Sequence, residues 1–405
     1  MAKKETYHID LPEGGSQRRG GSERNRSNGN RNGNRRPTGA QSARSGKRPM
    51  TKSQRRRKKR KRLFIIEAVV LALLLALLFV WLNLGMIGWD DLKNLRTNQL
   101  DDETKNMLDG YTTIALFGVD NRSNGNYESG NSDCILIASI NNETKEVKLV
   151  SVYRDTCLDV DGDHTFRKCN YAYNHGGPEA AIEMLNRNLD LNIQKYVAVD
   201  FYALIEVVDA LGGIELDIDE DEAYYLNTYG GGYIANTARI VGVKDPGPVR
   251  VGSNVHVSGV QAVAYCRIRY TSGADFKRAM RQRIVIEKII EKVNDASLGE
   301  LYEMANSMFD DVGTNFTLSQ ILGLARYVKN YQLVDAKGFP FDKRSGTYGG
   351  SSLVVPCTLE DNVRTLHAYL YNNEDVKLSE EVKDISDAIT RFTGLNSGDA
   401  VDYGY

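Results

Sequence analysis

Histidine, cysteine, tryptophan and proline are all scarce in this chain of 405 residues, at five, five, two and eight copies. Each scarcity excludes something. The histidines (His8, His164, His175, His256 and His367) form no HExxH and no i, i+4 pair, which argues against zinc. No CxxC occurs, so cysteine metal spacing is absent too. There is no GxSxG, no P-loop and no GxGxxG behind a strand, and Gly230–Gly232 reads as a loop rather than a phosphate cradle. The odd cysteine count leaves at least one thiol unpaired; free thiols are the leading expectation, with Cys157–Cys169 as the loop-closing alternative. Eight prolines beside 37 glycines and 22 tyrosines fit neither a collagen-like nor a wholly disordered chain.

Charge is plentiful and unevenly placed. Residues 1–62 hold 21 Lys and Arg against 4 Asp and Glu, whereas residues 63–405 hold 31 against 49. Such a split places the two segments in different surroundings. Residues 1–62 lack apolar periodicity and carry too little apolar surface to offset the entropy of ordering, so a disordered tail is expected. The tail ends in RRRKKRKR (Arg55–Arg62), which by itself would suit nucleic acid. The next segment argues otherwise. Leu63–Leu82 is an apolar run with one charge, Glu67; its twenty residues at ~1.5 Å each match the bilayer core of about 30 Å. Trp81 and Trp89 are placed as interfacial aromatics. The positive-inside rule keeps the basic tail cytoplasmic, against anionic lipid, and puts the rest outside the cell. A cleaved signal peptide is the weaker reading, because Asn83–Trp89 makes a poor cleavage site.

Beyond the run, 85–110 is expected to be a polar helical connector. Thr112–Val119, Cys134–Ile140, Val147–Tyr153, Tyr196–Val199 and Ile214–Ile218 read as strands. Gly176–Leu189, Phe201–Leu211, Ser258–Tyr265, Asp275–Val293, Leu318–Val328 and Asp361–Tyr371 read as helices. Residues 222–250 look like a loop insertion, and 374–405 like a polar, loosely attached tail. The alternation predicts an α/β domain over 111–373, behind a membrane helix at 63–84.

Charged residues gather at the strand ends. Asp120 and Arg122 follow the first strand, Asp133 precedes the second, Arg154 and Asp155 close the third, and Lys168 and Asn170 fall on a nearby turn. Arg267 and Arg269 alternate by two, placing both on one face if extended. Asp275, Arg278 and Arg281 step by three along one helix flank. Two unit charges ~8 Å apart at an effective dielectric of ~20 repel by on the order of 2 kcal/mol, so such a cluster calls for an anion. Arginine suits phosphate through its bidentate fork. Carboxylates among the arginines would repel that phosphate unless a hard divalent cation bridged them. Metal-assisted phosphoryl chemistry is the expectation; solvated surface charges are the bland alternative.

In order, IALFGVDNR (114–122), SDCILIASIN (132–141), VSVYRDT (150–156), KCNYAYNHGG (168–177), VDALGGIELDI (208–218), SGVQAVAYCRIRY (258–270) and DFKRAMRQ (275–282) resemble the LytR-CpsA-Psr family of cell-envelope proteins. The family commonly has Arg before the Ser-Asp, Thr after it and Pro before the Arg that Arg154 matches. Here these are Asn131, Cys134 and Tyr153. The resemblance implies a mixed sheet flanked by helices and a membrane-anchored phosphotransferase on the outer face of a Gram-positive type envelope. Such an enzyme moves a glycopolymer (teichoic acid, capsule or similar) from undecaprenyl pyrophosphate to peptidoglycan through a phosphodiester. By that similarity Asp120 and Asp133 hold Mg²⁺, with Mn²⁺ as the alternative. Arg122, Arg154, Arg267, Arg269, Arg278 and Arg281 grip the pyrophosphate, with Lys168 and Asn170 at its edge. Asp155 is the leading candidate for the base and Asp275 the second. The resemblance also implies a hydrophobic tunnel for the prenyl chain, whose lining the sequence does not identify. The rival readings are a lipid pyrophosphate hydrolase and a non-catalytic envelope regulator; nucleic acid is not an expected partner.

Overall fold

The structure, a computed structural model, describes residues 95–120, 127–269 and 274–404. The basic tail, the apolar run at 63–84 and Arg122 lie outside the described residues. Among the described residues no helix is long and apolar enough to cross a membrane. The connector ends in a short helix, α1 (Asp102–Asp109), which the Asp101 side chain caps by accepting from the Thr104 N–H.

Six strands form the sheet that organises the domain. Strand β1 is Tyr111–Asp120, β2 Asn131–Asn141, β3 Glu146–Val152 and β6 Lys195–Val199. The edges are β9 (Gly313–Thr314) and β10 (Gln332–Phe339). Their order across the sheet is β10-β3-β2-β1-β6-β9. β1–β2 and β2–β3 pair antiparallel, while β1–β6 and β3–β10 pair parallel, so the sheet is mixed. A hairpin of β4 (Cys157–Asp159) and β5 (Phe166–Lys168) follows β3.

The central strands are apolar on both faces because both are covered. On one face Phe117 and Val119 of β1 meet Ile182 and Leu185 of α2 (Asn170–Leu189) in the largest core. That helix starts earlier than Gly176, as two helical pieces joined at Gly176–Gly177. Gly177 has φ +65°, and a Cβ there would lie 2.9 Å from the Glu128 carbonyl oxygen. Pro178 then opens the second piece, where its missing N–H costs nothing. The opposite face carries α7 (Ala274–Asp295), whose Ile286 and Ile290 pack near Ala138 and Leu149.

A second core joins α3 (Phe201–Ala210), α6 (Gly259–Cys266) and the hairpin of β7 (Ile214–Ile218) with β8 (Gly252–Val257). Helix α3 crosses α6 closely: a Cβ on Gly259 would come 2.3 Å from the Ile205 carbonyl oxygen.

Two expectations are corrected. The 222–250 stretch is no plain loop: α4 (Glu220–Asn227) and α5 (Tyr233–Val241) lie within or across it, and buried Leu226, Ile234 and Val241 join the second core. Its Gly and Tyr content hid a helix that an Asp219–Glu222 capping box starts. Nor is the C-terminal segment loose. Helix α11 (Glu380–Thr393) buries Val382, Ile385 and Ile389 beside α10 (Leu359–Tyr371) in the main core. Its charges occupy the outer face only.

Two tests follow from this packing. Ile385→Ala is expected to lower the unfolding free energy by about 2–5 kcal/mol in urea denaturation, as for other buried Ile truncations; a loose tail would leave it unchanged. His367 is buried, and burial holds its imidazole below the ordinary range although its ring lies 3.0 Å from the Leu189 carbonyl oxygen. The neutral ring therefore contributes stability that is whole above pH ~6.5 and falls away as pH drops below it. Denaturation midpoints should fall between about pH 6.5 and 5 in the wild type, with a shallower fall in His367→Gln.

Candidate functional site

Asp133, near the start of β2, is the hub. Arg154, just past β3, places Nη1 2.8 Å from its Oδ1. Arg269, in the segment after α6, places Nη2 2.7 Å from Oδ2. Arg278, on the first turns of α7, reaches Oδ2 at 3.5 Å and the Asp133 backbone carbonyl at 3.4 Å. Three guanidiniums from three elements therefore meet one carboxylate.

A second ring of ion pairs holds these arginines in place. Asp275 forms ion pairs with Arg154 at 3.4 Å and with Arg278 at 3.5 Å. Asp155 takes Lys168 Nζ at 2.9 Å on Oδ2 and faces Arg154 Nε at 3.4 Å with Oδ1. Lys168 ends β5, so the β4–β5 hairpin delivers it. Arg154, Lys168, Arg269 and Arg278 thus stand against Asp133, Asp155 and Asp275, with Asp120 bordering the same cavity. The crowding that the sequence alone left needing an anion is met, at rest, by the protein's own carboxylates.

Burial pushes the Asp133 carboxyl up, but Arg278, Arg154 and Arg269 outweigh it and hold it below the usual carboxylate range. Burial also lowers Arg278, helped by repulsion from Arg154. Arg154 moves the other way: burial lowers it, yet Asp133 and Asp275 leave it above its ordinary value. Cys134 beside the hub is pushed up to about 12, chiefly by burial, so it is a thiol and not a nucleophile.

Two cavities adjoin this cluster. The polar one, about 270 Å³, is lined by Asp120, Asn131, Asp133, Arg154, Asp155, Lys168, Asn170 and Arg269. The other, about 350 Å³, is mostly apolar, with Leu116, Gly118 and Val119 of β1, Cys134 and Leu136 of β2, Val197 and Val199 of β6, Leu204 of α3, and Val285 and Ile286 of α7 in its wall. Asp120, Asp133 and Arg269 belong to both. Gly118 fits because a Cβ there would lie 2.8 Å from that of Cys134. The sequence hinted at this lining only through strands apolar on both faces.

The candidate residues divide. Asp120, Asp133, Arg154, Asp155, Lys168, Asn170, Arg269 and Arg278 come together. Arg267 does not alternate with Arg269 on a strand; it caps the end of α6, touches the apolar cavity, and donates to Thr237 at 2.6 Å and Asn236 at 3.2 Å. Arg281 turns away. It is 1% exposed and places Nε 2.8 Å from Glu222, so the step of three splits across two sides of α7. Gln282, which has no charge to flag it in the sequence, lines both apolar and hub surfaces and donates to the Asp133 carbonyl at 3.5 Å. All five cysteines are free, including Cys157 and Cys169.

The split can be measured. Arg281→Ala strands a buried Glu222 and should cost about 3–5 kcal/mol of stability. Arg269, half-exposed, should cost about 1 kcal/mol or less as alanine, yet abolish the rise in melting temperature expected of the wild type on adding inorganic pyrophosphate. A retained pyrophosphate response in Arg269→Ala would contradict the geometry.

The LytR_cpsA_psr family model matches residues 89–358. A relative from Enterococcus faecalis, named polyisoprenyl-teichoic acid–peptidoglycan teichoic acid transferase TagU, is 28% identical over 269 residues, covering 64% of this chain and 82% of that one. The Bacillus subtilis transferase TagV is 27% identical over 280 residues, 67% of either chain. The crystal structure of protein gbs0355 from Streptococcus agalactiae shares the fold with a TM-score of 0.55 at 24% identity, covering 67% of this chain and 90% of that one. This chain therefore belongs to the LytR_cpsA_psr family.

Proposed function

We propose that the protein moves a glycopolymer from a polyprenyl pyrophosphate carrier to a hydroxyl of peptidoglycan, leaving a phosphodiester. The observation that carries this reading is the junction of the two cavities at Asp120, Asp133 and Arg269. A site that is charged on one side and apolar on the other matches an amphiphile with an anionic head and a hydrocarbon tail. The names of the transferase relatives point to the same substrates.

The pyrophosphate lies at the seam of the two cavities, contacted by Arg154 and Arg269 from the polar side and by Arg278 from the wall of the apolar side, and edged by Lys168 and Asn170, while the prenyl chain follows the apolar cavity. An acceptor hydroxyl attacks the phosphorus that bears the sugar. The new P–O bond forms as the bond to the bridging anhydride oxygen breaks, and prenyl phosphate departs. The arginine forks stabilise the charge that builds on the phosphoryl and leaving oxygens, pre-oriented by Asp133 and Asp275. Asp155, in the cavity wall, receives the hydroxyl proton; Asp275 serves to orient Arg154 and Arg278. Arg281 acts as a structural cation.

Asp120 and Asp133 both border the polar cavity; although Arg154 and Arg269 already pair with the two Asp133 oxygens, the remaining carboxylate lone pairs, with phosphate oxygens and water, would hold Mg²⁺. Among the described residues no three His, Cys, Asp or Glu form an all-protein cage. When bound, the ion would offset carboxylate charge that opposes the incoming phosphates. The run at 63–84 anchors the chain, with 1–62 cytoplasmic against membrane lipid and the domain outside the cell.

Full-length protein incubated with a prenyl-pyrophosphate saccharide and peptidoglycan oligomers should yield the phosphodiester-linked conjugate. Arg154→Ala should reduce that rate by on the order of 100-fold or more. Free phosphorylated sugar as the sole product, with acceptor in excess, would establish hydrolysis instead.

A further inference from the structure

The end of the domain away from the charged site carries apolar side chains that the described chain leaves uncovered. Strand β2 runs eleven residues from the Asp133 end to the Asn142–Lys145 turn, roughly 34 Å at ~3.4 Å per residue. Helix α7 descends twenty-two residues from the Arg278 end, about 33 Å at ~1.5 Å each. Helix α8 (Leu298–Met308) follows, and buries only Leu301 and Met308. Leu298 and Tyr302, one turn apart on it, are 55% and 52% exposed. Helix α9 (Leu318–Arg326) follows a short connection, with Ile321 and Leu324 only half-buried. Tyr327, next in sequence, is 52% exposed and sits under the Lys145 ammonium of the β2–β3 turn. By contrast, α10 buries Leu359, Val363, Leu366 and Leu370.

The chain enters the domain at this same end. The Leu95 backbone N–H donates to the Gln194 side chain, and Asn315 Nδ2 donates to the Gln194 carbonyl three residues before α9 begins. Upstream, the apolar run closes at residue 84, so the ten residues 85–94 span at most about 35 Å. A bilayer holding that run lies within reach of α8 and α9.

We propose that the first turns of α8, helix α9 and the Tyr327 turn rest in the interfacial zone of a phospholipid bilayer, with Leu298, Tyr302 and Tyr327 among the lipid headgroups. This deepens the transferase reading and rests on its anchored, lipid-carrier substrate. Leu301 and Met308 face the domain, so the contact is made by exposed Leu298 and the tyrosines, which suit that zone by joining an apolar ring to a polar tip. Helix α8 carries Glu300 and Glu303, α9 ends in Arg326, and Lys329 follows the Tyr327 turn; the charges balance, so apolar burial rather than attraction to anionic lipid supplies the contact. The apolar cavity walled by Leu116, Leu136 and Ile286 lies between this end and Asp133, with Ala138, Leu149 and Ile290 packed beneath it, so a prenyl chain drawn from the bilayer has to displace that packing to bring its head to Asp133.

The test uses full-length protein in vesicles of phosphatidylethanolamine and phosphatidylglycerol. With Trp81 and Trp89 replaced by Phe, Tyr302→Trp is expected to emit to the blue and to be quenched by lipids brominated near the headgroup. Phe392→Trp, beside Phe166 on the hairpin strand that ends at Lys168, should stay unquenched. A water-exposed, unquenched indole in the Tyr302→Trp protein overturns the proposal; so does shielding that persists in detergent as the chain dimerises, which would make a second copy the occupant. Leu298→Glu, Tyr302→Glu and Tyr327→Glu together should cut transfer from a bilayer-embedded undecaprenyl carrier on the order of ten-fold. Transfer from a short, water-soluble prenyl pyrophosphate should be unchanged. Equal rates, or an equal loss, with both carriers overturns the proposal. A wild type that turns over neither carrier would overturn the transferase reading, and the quenching result would still decide the membrane contact.

Discussion

One carboxylate shared among three guanidiniums is the constraint on which the rest of the site depends. Asp133 pulls together Arg154, Arg269 and Arg278, which come from a strand end, a post-helical segment and a long helix. Arg278 is 3% exposed, so its charge is sustained by neighbours and not by water. Desolvating such a group is costly unless the geometry of its partners is good. Asp275 supplies a further negative charge beside both Arg154 and Arg278. The result is a set of donors fixed before any ligand arrives, which is the arrangement that electrostatic stabilisation of phosphoryl transfer needs.

The layers of the fold give this hub its second property. The sheet is covered by α2, α10 and α11 on one side, in the largest core, and by α3, α6 and α7 on the other, where an apolar space remains. Because β1 and β2 end at the hub, the same strands that line the apolar space also present Asp120 and Asp133. Charge and hydrocarbon therefore meet at one seam, and a ligand with both characters has a place to lie. The lower, thinly packed helices extend the apolar side toward the point where the chain enters.

Much of this could be read from the residues. The strands carrying Phe117-Gly118-Val119 and Ile135-Leu136-Ile137 announce themselves by apolar runs between polar turns, and the helix of Ile286, Ile289 and Ile290 by its spacing. The clustering of Asp120, Asp133 and Arg154 followed from strand ends being neighbours, whereas Arg269 reaches them from the segment after α6. What was not legible depended on long-range partners. Arg281 has the same spacing signature as Arg278, and only the presence of Glu222, 59 residues away, decides that it is structural. Arg267 and Arg269 alternate in sequence, but the helix end between them sends one to Thr237 and the other to Asp133. Helix α11 was concealed because its charges dominate its composition while its five buried residues dominate its energetics. The apolar cavity is a property of spacing between layers, which no local pattern records.

The most direct measurement is a crystal structure with a prenyl pyrophosphate bound. Both phosphates are expected within hydrogen-bond distance of Arg154, Arg269 and Arg278, and the prenyl chain between β1 and α7 past Leu116 and Ile286. A lipid bound elsewhere on the domain, or a head group held by Arg281 in place of the Asp133 cluster, would contradict the shared-carboxylate hub as the seat of the chemistry.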